Sequence, residues 1–357
     1  MSTNHSNNKN SNNKNSNNKN SNNKNSNKEN NRFGDRISDD EFLDDEFPDD
    51  EDVGTKQKRR GIKLLLAAAP LLLVLLLSTI AYFAGFFVSM LNDKIGTASS
   101  ATTALSASDE GWVFLIQYLL YIIFFGVWYR YLIQKKEREE EINPQPKKKS
   151  RKKTSAASKQ KAAASWNPVK YWAARLPLLL VLGYALQLGV SAILMILSTG
   201  FPSAFSSYKE LIATMAGDGV DVKTFIAVSF LAPVAEELIF RGVSYTYAEW
   251  AIGYRWAILF QAVIFGLYHG NLIQFIYATA IGYLLGALRH QSGSIVPGIV
   301  LHTIINLSAY LVPAAWIESL PKAGVMALLS TAVIVPCCII LLKRKKRHSK
   351  ARKAGAQ

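Results

Sequence analysis

The chain alternates between long apolar runs and short polar segments that carry most of its charge. The clearest run, Leu64–Leu91, contains no charged residue over 28 positions, and roughly 20 apolar residues suffice to cross the hydrocarbon core of a bilayer. Seven further runs have the same character, so we predict about eight membrane-spanning helices. They cover residues 64–91, 111–133, 176–198, 224–241, 256–269, 272–289, 295–312 and 323–342. The pattern predicts an all-α, polytopic membrane helical bundle and excludes a soluble protein.

Only Gly270 and Asn271 separate the fifth predicted span from the sixth. So short a connection favours a re-entrant segment or a tight hairpin over two full crossings. Irregular backbone at depth in a membrane is tolerated only where other helices bury it.

The charge of the chain lies outside the apolar runs and sets the predicted orientation. The protein has 41 Lys+Arg and 26 Asp+Glu, a formal net charge of +15. Residues 135–175 hold 13 basic and 4 acidic side chains, and residues 343–357 hold 8 basic and none acidic. Basic loops stay in the cytoplasm, so these segments and the basic run at 56–63 place both termini there. We expect them to contact anionic lipid. No folded basic module is visible, so nucleic acid is not an expected partner.

Composition divides the chain into five regions. The first repeats Asn-Ser-Asn-Asn-Lys between Asn10 and Lys24, and such a polar tract cannot bury apolar surface. We predict a disordered N-terminal tail, two transmembrane helices, a basic cytoplasmic linker, a membrane core and a basic cytoplasmic tail. In that order the regions cover residues 1–63, 64–134, 135–170, 171–342 and 343–357.

Ionisable side chains inside membrane spans are costly, so each one is a functional hypothesis. The carboxylates within a predicted span are Glu236 and Glu237. Glu237 and Arg241 are four apart with the acid first, the order that favours an ion pair on a helix. Glu236 is rotated from Glu237 by about 100° and is expected to face the interior of the bundle instead.

Two other spans add polar groups with helical spacing. Phe265 and His269 are four residues apart, as are His302 and Asn306. Three helices can therefore present polar groups to one cavity. There a carboxylate can act as general base, one imidazole can hold the same water, and an imidazole with a carboxamide can stabilise an oxyanion. The same groups could instead bind a catalytic zinc ion, with Glu236 as the third ligand.

The motifs resemble those of a known family of intramembrane proteases. They are Glu236-Glu237-x-x-x-Arg241, Phe265-x-x-x-His269 and His302-x-x-x-Asn306. They are similar, in order and spacing, to the three motifs of the CAAX protease and bacteriocin-processing family (CPBP, or Abi), which includes the type II CAAX prenyl endopeptidases. The resemblance covers roughly residues 224–310, including the core motifs at 236–306.

The resemblance implies an intramembrane endopeptidase that cleaves a membrane-associated peptide or protein. Glu236 is implied to activate water with help from His269, and His302 with Asn306 to stabilise the oxyanion. The implied supporting residues are the ion pair Glu237 and Arg241, and Phe265 beside His269. The family further implies a bacterial plasma membrane and a role in peptide maturation or bacteriocin self-immunity.

The cofactor and two other functions stay open at this point. The family has been described both as metal-dependent and as glutamate-dependent. No required cofactor is the first expectation, because Asn306 is an unusual zinc ligand and a good oxyanion donor. Zinc held by Glu236, His269 and His302 is the alternative. A non-catalytic membrane scaffold and a proton-coupled transporter are the competing functions, although no internal repeat supports a transporter.

Overall fold

A computed structural model describes residues 53–95, 107–142, 168–206, 208 and 222–343. Within these residues the regular structure is helical and contains no strand. The α-helices are α1 (Val53–Ile95), α2 (Ala107–Ile142), α3 (Pro168–Ala173), α4 (Leu176–Gly200), α5 (Val222–Ile226), α6 (Ala232–Glu236), α7 (Tyr245–Tyr268), α8 (Leu272–Ser292), α9 (Val296–Ser308) and α10 (Leu320–Leu342). Two π-helical stretches, Ala227–Leu231 and Glu237–Ser244, connect α5 to α6 and α6 to α7, and a 3-10 turn covers Ala314–Trp316. The predicted all-α class is confirmed.

All eight predicted spans are helical, but they are not eight equivalent helices. Among the described residues, five helical segments are long and apolar enough to cross a membrane: Val53–Ala84, Gly111–Glu139, Leu176–Gly200, Leu272–Ser292 and Leu320–Leu342. The segment 222–268 is divided by its π-helical stretches and by a kink. No single piece of it is therefore both long enough and apolar enough to be counted among the five. Helix α9 has 13 residues, about 20 Å, which is shorter than a bilayer core of about 30 Å. These shorter pieces carry the polar motifs.

The helices extend beyond the boundaries that composition predicted. Helix α1 begins at Val53, eleven residues inside the predicted tail, and α2 continues to Ile142, inside the predicted basic linker. Lys, Arg, Gln and Glu are good helix formers, so a spanning helix can continue past the apolar run with charged side chains. Most of the tail, most of the linker and residues 344–357 lie outside the described residues.

Two hydrophobic clusters hold the bundle together. The larger contains side chains of α1, α2 and the segment 222–268, with Tyr121, Phe125 and Phe240 fully buried. The smaller joins α4, α8, α9 and α10 through leucines, Ile305 and Cys337. Helix α9 and the stretch 227–236 lie where the two clusters meet, because α9 contacts both α4 and this stretch. This junction is where the polar motifs are found.

A tight turn links α7 to α8, one of the two alternatives predicted for the fifth and sixth spans. His269 ends α7, and Gly270 follows with φ of 66°. The Asn271 side chain then caps α8 by accepting hydrogen bonds from the backbone N–H groups of Ile273 (2.9 Å) and Gln274 (3.3 Å). The cap satisfies two of the four free donors at a helix start and fixes the direction in which α8 leaves His269.

At the opposite ends of α7 and α8, between the predicted spans, a polar cluster surrounds Glu249 and His290. The Tyr245 hydroxyl donates to Glu249 Oε1 (2.7 Å) and lies 3.2 Å from His290 Nδ1. Gly253 kinks α7 with φ of 76° and ψ of 164°, a conformation that residues with a Cβ rarely adopt. After this kink the Tyr254 ring stacks on His290 with 4.0 Å between ring centroids. Burial opposes ionisation of Glu249, but hydrogen bonds from His290 and Tyr245 and the charge of Arg289 lower its pKa.

We predict that Glu249→Gln lowers the melting temperature of the protein at pH 7 by about 1–3 °C. The shift is small because the side chains of Glu249 and His290 are partly exposed to solvent. A depressed pKa in the folded state contributes stability above the ordinary glutamate pKa of about 4.3 and loses it at lower pH. The melting curves of variant and wild type should therefore converge as the pH falls below about 4. The control is Glu318→Gln, whose carboxylate is 57% exposed beside Lys322. The lowered pKa of Glu249 would be contradicted if the two melting temperatures were equal at pH 7, or if they still differed at pH 3.5.

Candidate active site

Glu236 and Glu237 lie where α6 meets the second π-helical stretch. Glu236 is the last residue of α6 and Glu237 begins the stretch that ends at Ser244. Glu236 is 5% exposed and Glu237 is fully buried. π-Helical turns are rare and are frequent at functional sites. Two adjacent buried carboxylates in such a turn are costly unless charged or hydrogen-bonding partners compensate them.

Arg241 supplies the compensating charge for Glu237. Its Nη1 atom lies 3.0 Å from Glu237 Oε1, and both side chains are fully buried. Helix α8 holds this arginine at two points: Arg241 Nη2 donates to the Gly282 carbonyl (3.2 Å), and Arg289 Nε donates to the Arg241 carbonyl (3.2 Å). Gln261 Nε2 also donates to Gly282, at 2.9 Å. The ion pair expected from the spacing is present, and α8 fixes it in place.

His302 lies between the two glutamates. Its Nδ1 atom is 3.3 Å from Glu237 Oε1, and its Nε2 atom is 3.6 Å from Glu236 Oε2. The first distance is a hydrogen bond, whereas the second exceeds hydrogen-bond length. With Nδ1–H donating to Glu237, the orientation of the imidazole is fixed and Nε2 faces Glu236. The two adjacent glutamates therefore approach opposite nitrogens of the same imidazole ring.

Asn306 lies one turn after His302 on α9 and reaches the first π-helical stretch. Its Nδ2 atom donates to the Val228 carbonyl at 2.9 Å. A carboxamide nitrogen carries two protons, so one N–H remains for another acceptor. The contact joins α9 to the chain that leads into Glu236, and it places a donor on the same face of α9 as His302.

Phe265 lies beside His269 and beside the cluster of Arg241 and His302. Its ring meets His269 edge-on at 4.9 Å and His302 at 5.7 Å, and the Arg241 guanidinium lies 4.4 Å above it. His269 Nδ1 lies 2.8 Å from the Phe265 carbonyl. The carbonyl can only accept, so Nδ1 carries the proton and Nε2 of a neutral His269 is left as an acceptor. Phe265 therefore packs against both histidines and the arginine.

The predicted residues gather in one region, but not every expected pair is in contact. Glu236, Glu237, Arg241 and His302 form a connected cluster. In the part of the chain that the structure describes, His269 forms neither a hydrogen bond nor an ion pair with Glu236. His302, expected beside the oxyanion, is the imidazole nearest to both carboxylates.

Two tyrosines of the larger hydrophobic cluster, Tyr118 and Tyr268, were not anticipated from the sequence. Tyr268 precedes His269 directly, and their rings are 5.4 Å apart. A tyrosine in an apolar span carries no charge, so a search for ionisable residues passes over it. Gln261, fully buried in α7, could have been found by a search for all polar residues within the predicted spans.

The three residues predicted as zinc ligands do not form a single group in the described structure. In the described ranges, no three side chains of the types His, Cys, Asp and Glu are grouped so that they could hold a metal. A zinc site needs three protein ligands about 2 Å from one point. Here His302 Nε2 lies 3.6 Å from Glu236 Oε2, and the Phe265 ring packs edge-on against both histidines.

Chemically, the cluster contains a buried carboxylate that can act as a general base, an imidazole and one amide donor. Glu236 Oε2 faces His302 Nε2. Among the described residues, no buried Lys or Arg lies at ion-pair distance from Glu236. Glu237 is committed to Arg241 and His302. The division suits Glu236 for proton transfer and Glu237 for support, the two roles that hydrolysis by activated water requires.

Comparison with known proteins gives one match. Residues 219–308 match the family model described as type II CAAX prenyl endopeptidase Rce1-like, which is 90 of the 357 residues. The match confirms the resemblance predicted from the three motifs, and all seven motif residues lie within it. No curated protein and no solved structure matches the chain.

We predict that Gly298→Ala destabilises the protein by about 1–3 kcal/mol, the usual cost of overpacking. A Cβ at Gly298 on α9 would lie 2.5 Å from Glu237 Oε2, and Glu237 cannot swing away because Arg241 and His302 hold its other oxygen. The control is Gly324→Ala on α10, where a Cβ meets nothing within 4 Å and helix propensity favours alanine. Thermal unfolding in detergent measures both. Equal melting temperatures for the two variants would contradict the close approach of α9 to Glu237.

Proposed function

Since residues 219–308 match an intramembrane CAAX-type protease family, we propose that this protein is an endopeptidase. It hydrolyses a peptide bond of a membrane-associated peptide or protein, and Glu236 activates the water. The observation that carries the proposal is the buried cluster in which His302 lies 3.3 Å from Glu237 and 3.6 Å from Glu236. An ionisable group this deep in a bundle is expensive, and structural packing alone accounts for only the Glu237–Arg241 pair.

In the proposed reaction Glu236 accepts a proton from water while the water oxygen attacks the scissile carbonyl carbon. His269, with its Nδ1–H bound to the Phe265 carbonyl, offers Nε2 to orient the same water. The carbonyl π electrons move to oxygen, and the resulting oxyanion is stabilised by Asn306 and His302. Collapse of the intermediate breaks the C–N bond, and Glu236 returns its proton to the leaving amine.

The finer parts of the proposal concern substrate, cofactor and cell. The substrate is a membrane-embedded peptide or protein, and no cofactor is required, because the donor arrangement disfavours zinc. The breadth of the family in bacteria supports the bacterial plasma membrane and a role in peptide maturation or bacteriocin self-immunity. The exposed basic residues Lys58, Arg59 and Arg60 at the start of α1 are consistent with contact to anionic lipid.

We predict that Glu236→Gln abolishes cleavage, lowering kcat by a factor of about 100 to 10,000, the contribution typical of a positioned general base. Gln keeps the size of the side chain but cannot accept the proton. Purified full-length protein is assayed in lipid nanodiscs with a library of fluorogenic peptides, prenylated and unprenylated. Glu318→Gln, at an exposed position before α10, is the matched control and should cleave as wild type does. Cleavage by Glu236→Gln at the wild-type rate would refute the assignment of the base, and a Glu236→Gln variant with full cellular function would favour the scaffold.

We predict that a strong chelator leaves kcat and KM unchanged in the same assay, because no described group of donors can hold a metal. The control is a zinc protease treated in parallel, which should lose activity. Activity that disappears with the chelator and returns with added zinc would contradict the metal-free mechanism and restore Glu236, His269 and His302 as ligands.

A further inference from the structure

A proline stands in the helical segment that leads to the two glutamates. Pro233 is buried in the first turn of α6, in the same short helix as Glu236. The backbone continues in right-handed helical geometry from the π-helical stretch through Ala232, which has φ of −57° and ψ of −51°. A proline disfavours this conformation in the residue before it, and it cannot donate a backbone hydrogen bond. Pro233 therefore conflicts with the local helix geometry, and such conflicts are expected at functional or strained sites.

The missing N–H of Pro233 explains why the Val228 carbonyl is available to another helix. In an α-helix its donor would be the N–H of Ala232, but that group donates instead to the Ala227 carbonyl, five residues back. With the same five-residue spacing, Val228 would receive its hydrogen bond from residue 233, and proline has no N–H to give. Both helical donors of the Val228 carbonyl are thereby accounted for. The Asn306 side chain bonds to it instead, at 2.9 Å.

This contact limits where the Asn306 amide can point. A carboxamide nitrogen carries two N–H groups in one plane, so a bond from one of them to Val228 restricts the direction of the other. His302, one turn earlier on α9, is held in a similar way by Glu237 at 3.3 Å. The segment that carries Glu236 therefore anchors both candidate oxyanion donors. Base and donors are held in one fixed relation.

We propose that Pro233 is a positioning residue. By withholding an N–H it leaves the Val228 carbonyl to Asn306, whose second N–H is then directed at the oxyanion. Pro233 touches neither the water nor the scissile bond and acts through Val228 and Asn306. The proposal rests on the proposed function for its effect on turnover, but the dependence of the Asn306 amide on residue 233 can be tested without a substrate.

The first measurement follows the Asn306 amide by NMR in the full-length protein in nanodiscs, with the asparagine side chains labelled with nitrogen-15. The Asn306 signal is the one that Asn306→Asp removes. Pro233→Ala supplies an N–H that competes for the Val228 carbonyl, so this signal should shift. The Asn271 amide is the internal reference and should not move, since that side chain caps α8 through its oxygen. An Asn306 signal that Pro233→Ala leaves unchanged would overturn the proposal.

A second replacement separates the added N–H from the loss of the proline ring. Lactic acid, the α-hydroxy analogue of alanine, is placed at position 233 by nonsense suppression. It has the methyl side chain of alanine but an ester oxygen in place of the N–H, so the Asn306 signal should stay near its wild-type position. A shift equal to that of Pro233→Ala would show that the lost ring, and not the added donor, moves the amide, and would overturn the proposal.

The third measurement compares cleavage kinetics. Pro233→Ala should lower kcat about tenfold with KM unchanged, because an oxyanion donor acts in the transition state, and the lactic acid variant should keep the wild-type kcat. In an Asn306→Ala background, Pro233→Ala should lower kcat no further, since both changes act through one contact. The control is Pro70→Ala, at a buried proline inside α1, which should match wild type. Additive losses in the double variant would overturn the proposal.

The variant Pro233→Ala is expected to fold, because it removes a proline from a helical segment and adds a backbone donor. If it fails to fold, glyceric acid, the α-hydroxy analogue of serine, is placed at position 229. It converts the Val228 carbonyl into an ester, which is a weaker acceptor, and it should shift the Asn306 signal and lower kcat in the same way. A wild-type signal or a wild-type rate in that variant would overturn the proposal.

The outcomes separate this proposal from the proposed function. A shifted Asn306 signal together with a non-additive fall in kcat supports the positioning role. A shifted signal with an unchanged kcat overturns it. A wild-type protein that cleaves no peptide contradicts the protease, while the Asn306 signal still decides whether Pro233 controls the amide.

Discussion

The arrangement of the candidate site depends on one buried ion pair, Glu237 with Arg241. Two unpaired charges at this depth would cost several kcal/mol each, so the bundle is built to keep them together. Helix α8 approaches closely enough for its Gly282 carbonyl to accept from Arg241. Helix α9 approaches at Gly298, where a side chain would collide with Glu237. Both close approaches bring other motif residues with them, and His302 then lies where it can contact both glutamates.

The π-helical geometry explains how so many polar groups meet on one segment. Glu236 ends an α-helical turn, and the residues after it follow the wider π-helical path to Ser244. The two adjacent glutamates consequently reach opposite nitrogens of one imidazole, although they leave the backbone in different directions. Glu237 is paired with Arg241, whereas no buried Lys or Arg among the described residues lies at ion-pair distance from Glu236. Three other parts of the protein pack around the two glutamates. They are the hairpin α1–α2, the turn after His269 and the aromatic side chains around Phe265.

Local spacing predicted the contacts that lie on one helix. Glu237 with Arg241 follows from a four-residue separation, and the expected face shared by His302 and Asn306 follows from the same rule. The bridge from His302 to both glutamates joins residues 65 or more positions apart, and no local pattern specifies that distance. Tyr268 was missed for a related reason, since a neutral phenol on an apolar helix becomes relevant only when tertiary packing brings its ring against Phe240. The hydrophobic pattern also could not predict the kink at Gly253 or the division of segment 222–268, because it reflects burial and not backbone geometry.

A double-mutant cycle on Glu237 and Arg241 tests the central claim most directly. Glu237→Gln, Arg241→Met and the double variant are compared by unfolding in detergent at pH 7. We predict that Arg241→Met alone costs about 3–5 kcal/mol, because it leaves a buried carboxylate uncompensated. The double variant should lose less than the sum of the single variants, with a coupling of about 2–3 kcal/mol. Additive losses, or an Arg241→Met variant as stable as wild type, would show that the ion pair is not what holds the site together.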